Sequence, residues 1–400
     1  MDCSDNMDVM SFYESSCHQL QLPSSQFFET SSPVYPGFMF LSDEINEIRR
    51  YFDQADQKRY KWVGPLESRN GSLCVHVRAV EFVGGIEVWK DFVIKTPLGN
   101  GKECFEEETQ RLQELRGSHL VQEVDLPFNP LDQPLPNPQS PDKFYEWNGQ
   151  IYASGSGSYA IPYLVLEYLE NGTLGDLIRK ARKRRLRLPN LLLWGLFRCL
   201  INASAEMVGV NQGPERQGRN FIHPRFTLDN VLVGKYYPKT VDHRISPILK
   251  VTNFGRPSLD EPLPFGINGT MALGENLKAV GMIMQCLIAL TDNEDDHYKE
   301  TRWFRSRSTA NEGFETFATL LSPVGREASD VTKGELPFPW LDPVLRYIVC
   351  RLAAADPAQR QSVGLPTLLH YTAWALSRAT NRDLDSVHKL LSRLLQTPAE

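Results

Sequence analysis

The chain has 400 residues, 41% of them hydrophobic and 23% charged, and its 43 Lys+Arg against 49 Asp+Glu leave a formal net charge of −6. That is too apolar and aromatic-rich for wholesale disorder, and long enough for two or three domains or a single large two-lobed domain. A mild acidic balance excludes a global electrostatic drive towards nucleic acid; such a role would need a local patch. Seven cysteines lie scattered with no CxxC pair, which argues against a disulfide framework and against a zinc site. The N-terminus lacks a basic region ahead of an apolar core. The most apolar stretch, Leu191–Val210, is interrupted by Arg198, Asn202 and Glu206, so a buried helix explains it better than a membrane span. These features point to an intracellular, reduced setting, cytoplasmic or nuclear. The Asn-x-Ser/Thr sites at Asn70, Asn171, Asn202 and Asn268 then have no route to glycosylation.

Residues 1–45, rich in Ser, Asp, Gln and Pro with no sustained period, read as a loosely ordered leader. From Trp62 the texture is strand-like. Ser72–Val80 is β-branched and partly alternating, Val83-Gly84-Gly85-Ile86 makes a hairpin turn, and Trp89–Lys95 returns as a second strand. Lys102–Gly117 is predicted helical, with Phe105, Leu112 and Leu115 on one stripe. Glu108 falls on that same stripe, and a carboxylate facing a core is costly unless a cation meets it. His119–Val124 reads as a further short strand. Residues 125–160, dense in Pro, Gly and Ser, read as a long loop.

Pro162–Tyr168 is a short apolar strand, stopped by Glu170-Asn171-Gly172-Thr173. A helix follows from Leu174 and carries an intensely basic tail, Arg179–Arg187, with seven Lys/Arg in nine positions. That run reads as a solvated helix face, or as a patch for anionic partners or nuclear import. After the buried helix come two apolar pieces, Asn230–Val233 and Ile248–Val251, joined by a loop. Asp292–Asp296 is an acidic surface loop, and from Leu277 to about Gln396 the chain reads as mostly helical. Strands with one helix first, then mainly helices, give an α+β class with a small antiparallel sheet region and a larger helical region.

This order, with particular residues at particular places, resembles the eukaryotic protein kinase family over roughly residues 60–374. The resemblance implies a small lobe at about 60–166, a helical lobe at about 167–374 and a helical tail at 375–400. Val93-Ile94-Lys95 resembles the strand bearing the nucleotide-phosphate lysine, and Glu108 its helix-borne ion-pair partner. The run from Leu164 to Leu174 resembles the hinge, with Leu166 as gatekeeper and the backbone of Glu167 to Leu169 facing an adenine. Phe221-Ile-His-Pro-Arg-Phe-Thr-Leu-Asp-Asn230 resembles the catalytic loop, and Leu249-Lys-Val-Thr-Asn-Phe-Gly255 the magnesium loop. Asp356-Pro-Ala-Gln-Arg360 resembles a late motif whose arginine is structural. In its long loop and its Trp62–Gly71 start the divergence is similar in texture to kinase-like proteins of filamentous fungi, an impression carried by no motif.

The chemistry departs from the family at its centre. Two residues after His223, where the family has its catalytic Asp, stands Arg225, which has no usable lone pair and cannot act as a base. The magnesium-loop Asp is replaced by Asn253, a neutral and therefore weak ligand for a hard divalent cation. Asn230, the second metal position, is kept. Glu67 and Arg69 stand where glycines would let the backbone approach phosphates, and Asn276 stands where an Asp usually anchors the catalytic loop. Losing base assistance alone removes roughly 10²–10⁴ in rate. The expectation is a pseudokinase: a regulatory or scaffolding partner of another protein, a kinase or an enzyme it controls, with ATP the cofactor the resemblance admits and magnesium disfavoured. Two alternatives stand beside it. One is an atypical active serine/threonine kinase using Asp229 as a displaced base; the other is a binder of anionic partners through 179–187.

Overall fold

Alternation builds the N-terminal sheet. In the computed structural model, β1 (Tyr60–Leu66), β2 (Ser72–Val83) and β3 (Ile86–Pro97) form a meander. β6 (Leu164–Glu167) joins the far side of β3 to give a four-stranded antiparallel sheet of order β1-β2-β3-β6. Leu73, Val75, Val77 and Ala79 on β2 are buried, as are Phe92 and Ile94 on β3, the period-2 signature of a half-covered sheet. The register sets Cys74 opposite Lys95, and Lys95 opposite Leu164. Gly85 takes φ +82°, the left-handed conformation that a two-residue hairpin needs and that glycine adopts without strain. β2 and β3 outrun their neighbours: β1 stops pairing at Ala79 and β6 at Phe92. The ribbon beyond leaves Ile86, Val88 and Trp89 exposed.

The described residues are 45–46, 48–53, 59–66, 72–83, 85–97, 102–125, 145–147, 150–152, 163–209, 220–237, 243–255, 269–292, 300–305, 313–322 and 337–395. Ile48–Glu400 forms one compact unit. It therefore begins before residue 60, with a short helical segment at 48–53 whose Phe52 packs on Tyr60 and Trp62. The expected leader (1–45) and Glu67, Arg69 and Gly71, which the resemblance sets at a glycine-rich loop, lie outside the described residues, except for Ile45.

Helix α1 (Lys102–Glu114) buries Phe105, Leu112 and Glu108 as its stripe requires, with Leu115 just past its end; it stops three residues before Gly117. His119–Val124 is not a strand. It makes single bridges to two different sheets, Leu120 to Val251 and Glu123 to Leu166, so no continuous ladder forms. The 125–160 segment is not wholly a loop either, because β4 (Tyr145–Trp147) and β5 (Gln150–Tyr152) pair as a small hairpin.

α2 (Leu174–Lys183) starts at a capping box: Asp176 N–H donates to Thr173 Oγ1 and the Thr173 N–H to Asp176 Oδ2. The basic run is not one solvated face. The helix ends at Lys183 and Arg185 takes φ +53°, so the last charges leave the helical surface. Arg179 pairs with Asp176 (2.6 Å), Arg182 with Asp292 (2.7 Å), and Arg187 lies over the Trp340 ring.

α3 (Asn190–Met207) is apolar nearly all round, as a central helix must be, and packs against α4 (Gly269–Ala289) and α7 (Leu365–Ser377). Two-residue-period pieces β7 (Val231–Val233) and β8 (Leu249–Val251) pair antiparallel. α4 begins before Leu277, because Ala272 is already buried. Between α4 and α5 (Pro343–Leu352) an unexpected hairpin, β9 (Arg302–Arg305) with β10 (Gly313–Thr316), packs Phe304 and Phe314 on Tyr347. α6 (Pro357–Gln361) and α8 (Asn381–Leu395) complete the chain, and α7 runs across residue 374 without a break. No described helix is long and apolar enough to cross a membrane.

Candidate functional site

Lys95, near the end of β3, is met by Glu108 from α1: its Nζ donates to Oε1 at 2.7 Å and Oε2 at 2.6 Å, with Lys95 3% and Glu108 5% exposed. The misplaced carboxylate on the apolar stripe thus has its cation. A third bond runs from Lys95 Nζ to Asn253 Oδ1 at 2.8 Å, across 158 residues of sequence. An ammonium has three hydrogens, so the donor set is full. Glycine at 255 makes this approach feasible. A Cβ there would stand 2.9 Å from the Cys104 carbonyl oxygen and 3.2 Å from Glu108 Cβ. Arg111, one turn after Glu108, donates to the Phe254 carbonyl (2.6 Å), lies over the Phe221 ring and also bonds Glu107.

The segment 221–233 is held from several sides. Asn276 accepts from the His223 N–H (3.0 Å) and donates to the Phe221 carbonyl (2.8 Å), so the amide does on both sides what a carboxylate could do on one. His223 is buried. Its Nε2 donates to the Thr252 carbonyl (2.9 Å) while Nδ1 accepts the Arg225 N–H (3.0 Å). Burial pushes this imidazole down to about 4 despite the Thr252 bond, so it is neutral at pH 7. Its ring packs on Phe254 and Phe226. Asn230 donates to the Arg225 carbonyl (2.7 Å) and accepts from Asn253 Nδ2 (2.7 Å). Asn253 takes φ +63°, a conformation asparagine tolerates better than most residues.

Of the expected site residues, Lys95, Glu108, Asn253 and Asn230 therefore form one connected chain, with His223 and the Arg225 backbone at its end. The Arg225 side chain is exposed. Asp229 points elsewhere: its Oδ1 lies 3.0 Å from where a Cβ on Gly175 would stand, at the start of α2. It is aimed at that helix, which argues against a displaced base. At positions 253 and 230 this donor set offers a divalent cation no anionic oxygen. Asn253 and Asn230 are neutral, and each side-chain oxygen already accepts a hydrogen bond. Among the described residues no group of three or more His, Cys, Asp and Glu could hold a metal ion.

Leu166 is buried opposite Val93 and bridges Glu123; Leu169 is buried nearby. The Glu167 N–H donates to the Gln122 carbonyl (3.2 Å). The Glu167 carboxylate takes Lys250 Nζ on both oxygens (2.7 Å each) and the Gln122 N–H (2.8 Å), tying β6 to β8. Sequence reasoning missed Gln122 and Lys250. It also missed His76, whose ring stacks on Tyr168 at 3.9 Å and bonds Asp91 (2.6 Å).

A second cluster lies behind α1. Glu206, which interrupts the apolar α3, accepts from Ser118 N–H (3.2 Å), Ser118 Oγ (3.1 Å), His119 N–H (2.9 Å) and His119 Nδ1 (3.0 Å). Gly117 leaves room for it: a Cβ there would stand 2.1 Å from Glu206 Oε2, so any larger residue must displace this carboxylate. Burial pushes the Cys199 thiol up, but hydrogen bonds from His119 and His243 outweigh it and bring it down to about 6. Burial would lower His119, yet bonding to Cys199 and Glu206 raises it to about 9. The two shifts are opposed, each group favouring the charged form of the other. No protein-family model matches the sequence, and no curated protein matches it.

Proposed function

We propose that this chain is a catalytically impaired, protein kinase-like protein with a two-lobed fold, acting as a regulatory or scaffolding partner of another protein. The observation that carries the reading is the buried Lys95–Glu108 pair joined to Asn253 and Asn230, with Arg225 where a base would be needed. The motif order in the sequence supplies the kinase-like half of the reading. The donor set supplies the impaired half, because among the described residues Arg225 stands where the resemblance calls for a base, and Asn253 where it calls for an anionic metal ligand. The active-kinase alternative is weakened by the orientation of Asp229, and the anionic-partner alternative by the pairing of Arg179 and Arg182 with acidic side chains.

The test is the thermal midpoint of the full chain with and without ATP, in magnesium and in EDTA, beside a phosphotransfer assay. A native-state site filled at ~100 times its dissociation constant adds roughly 2.7 kcal/mol. The expected result is no transfer, and either no shift or a shift indifferent to magnesium. Magnesium-dependent stabilisation with measurable transfer would overturn the reading.

A further inference from the structure

We infer that Asn253 replaces the metal of the cleft with a metal-free latch: a relay of side-chain amides that joins the sheet to the helical region without nucleotide or divalent cation. The metal position is named on the kinase-like reading above; the latch itself rests on geometry alone. The relay runs from Glu108 through Lys95 Nζ to Asn253 Oδ1 (2.8 Å), from Asn253 Nδ2 to Asn230 Oδ1 (2.7 Å), and from Asn230 Nδ2 to the Arg225 carbonyl (2.7 Å). It is directional. Every donor from Lys95 onward points the same way, from the β3 lysine to the 221–233 segment.

That direction is what only an amide at 253 supplies. A carboxylate there would accept from Lys95 equally well, but would set an oxygen against Asn230 Oδ1 with no hydrogen between them. Asn230 could answer by turning its amide round, and would then lose its bond to the Arg225 carbonyl. An Asp at this position therefore leaves a pair of facing oxygens, an arrangement that invites a cation; the Asn closes the same gap with a hydrogen. Lys95 and Asn230 are buried at 3% and 4% exposure and Asn253 is half-buried, so water competes for these bonds chiefly at Asn253. Two neighbouring ties act in the same sense. Arg111 bonds the Phe254 carbonyl from α1, and Glu167 holds Lys250 from β6. The three ties reach the 249–255 segment from α1, β3 and β6, leaving it fixed on the sheet side with every named polar atom satisfied.

The experiment is hydrogen–deuterium exchange of the full chain in EDTA and in magnesium, for the native protein, Asn253→Gly and Asn230→Ala. Gly at 253 keeps the left-handed backbone unstrained while deleting both relay bonds. The native protein is expected to protect 93–97 and 228–233 equally in EDTA and in magnesium. Asn253→Gly is expected to speed exchange in both segments together, by about tenfold or more. Asn230→Ala, which spares the Lys95 contact, is expected to loosen 228–233 alone. Acceleration confined to residues beside 253, or native protection that needs magnesium, would overturn the latch. Asn253→Asp completes the set: its protection of both segments is expected to recover on adding magnesium, and recovery in EDTA would also overturn the latch. A phosphotransfer assay tests the other reading separately. If the segments loosen together as expected but the native chain transfers phosphate from ATP, the latch stands and the catalytically impaired reading falls.

Discussion

Replacing Lys95 with Met is the sharpest test of the buried pair. The side chain is nearly isosteric, but Glu108, 5% exposed, is left as an uncompensated carboxylate and Asn253 Oδ1 loses its donor. Removing one partner of a buried ion pair costs about 3–5 kcal/mol, whereas replacing both by apolar groups is often near neutral. Lys95→Met should therefore lower stability by about that amount, and Lys95→Met with Glu108→Leu should recover most of it, short of about 1 kcal/mol for the orphaned Asn253 oxygen. With a urea slope of about 3 kcal/mol/M, the single variant should shift the unfolding midpoint down by ~1 M or more, readable by circular dichroism. A single variant within ~0.2 M of the native midpoint would refute the reasoning, as would a double variant no better than the single.

The Cys199 cluster makes a prediction about pH whose sign follows from two opposed shifts. His119, raised to about 9, contributes stability that is complete below about 6.5 and lost as pH rises through about 9. Cys199, lowered to about 6, contributes stability that is complete above its ordinary 9.0 and lost as pH falls through about 6. With the two shifts opposed, the slopes cancel between about pH 6.5 and 9. Cys199→Ser removes the Cys199 limb and also the first of the bonds that raise His119, leaving Glu206 to hold the imidazole up: urea midpoints at rising pH should fall in the variant relative to the native chain, by less than the ~1.4 kcal/mol per unit of a fully shifted group, and parallel profiles would contradict the assignment. Gly117→Ala should cost about 2–4 kcal/mol by driving the Glu206 carboxylate off its four donors, and should cost far less in a Glu206→Ala background, where nothing stands in the way. Arg360→Lys should destabilise by roughly 2–3 kcal/mol in thermal melts, because Arg360, 2% exposed, forks between the Ala354 and Ala355 carbonyls and Glu275, which a single ammonium cannot do.

What can be read from sequence is what depends on local period and on one energetic misfit. The apolar stripe of Lys102–Gly117 locates α1, and the carboxylate on it demands a cation that β3 supplies. The β4–β5 hairpin carries a legible signal inside a segment whose composition reads as loop: in the sequence Asn148-Gly149 falls between the β-favouring Tyr145, Trp147 and Ile151, Tyr152, the pattern of a two-residue turn. The β9–β10 hairpin has no such signal, and its burial depends on Tyr347, more than thirty residues on. The basic run defeats composition because its neutraliser, Asp292, is 110 residues away. Asn253 read in isolation is a missing ligand. Its second role, donating to Asn230, needs the two amides brought face to face, which no spacing rule supplies. The same holds for Cys199, whose low thiol depends on His119 and His243 meeting it from two other segments.

The long separation between Lys95 and Asn253 has a consequence for synthesis. When α1 leaves the ribosome, the residues that will cover its inner side, Phe254 among them, are roughly 140 positions from being made. At about 5–20 residues per second that interval is about 7–28 s. Throughout it Lys95 lacks Asn253 and Arg111 lacks the Phe254 carbonyl, so the nascent sheet carries only the first half of its polar network and is a holding state, not a finished core. Cells short of chaperone capacity should lose this protein during translation, before its folded stability is ever tested.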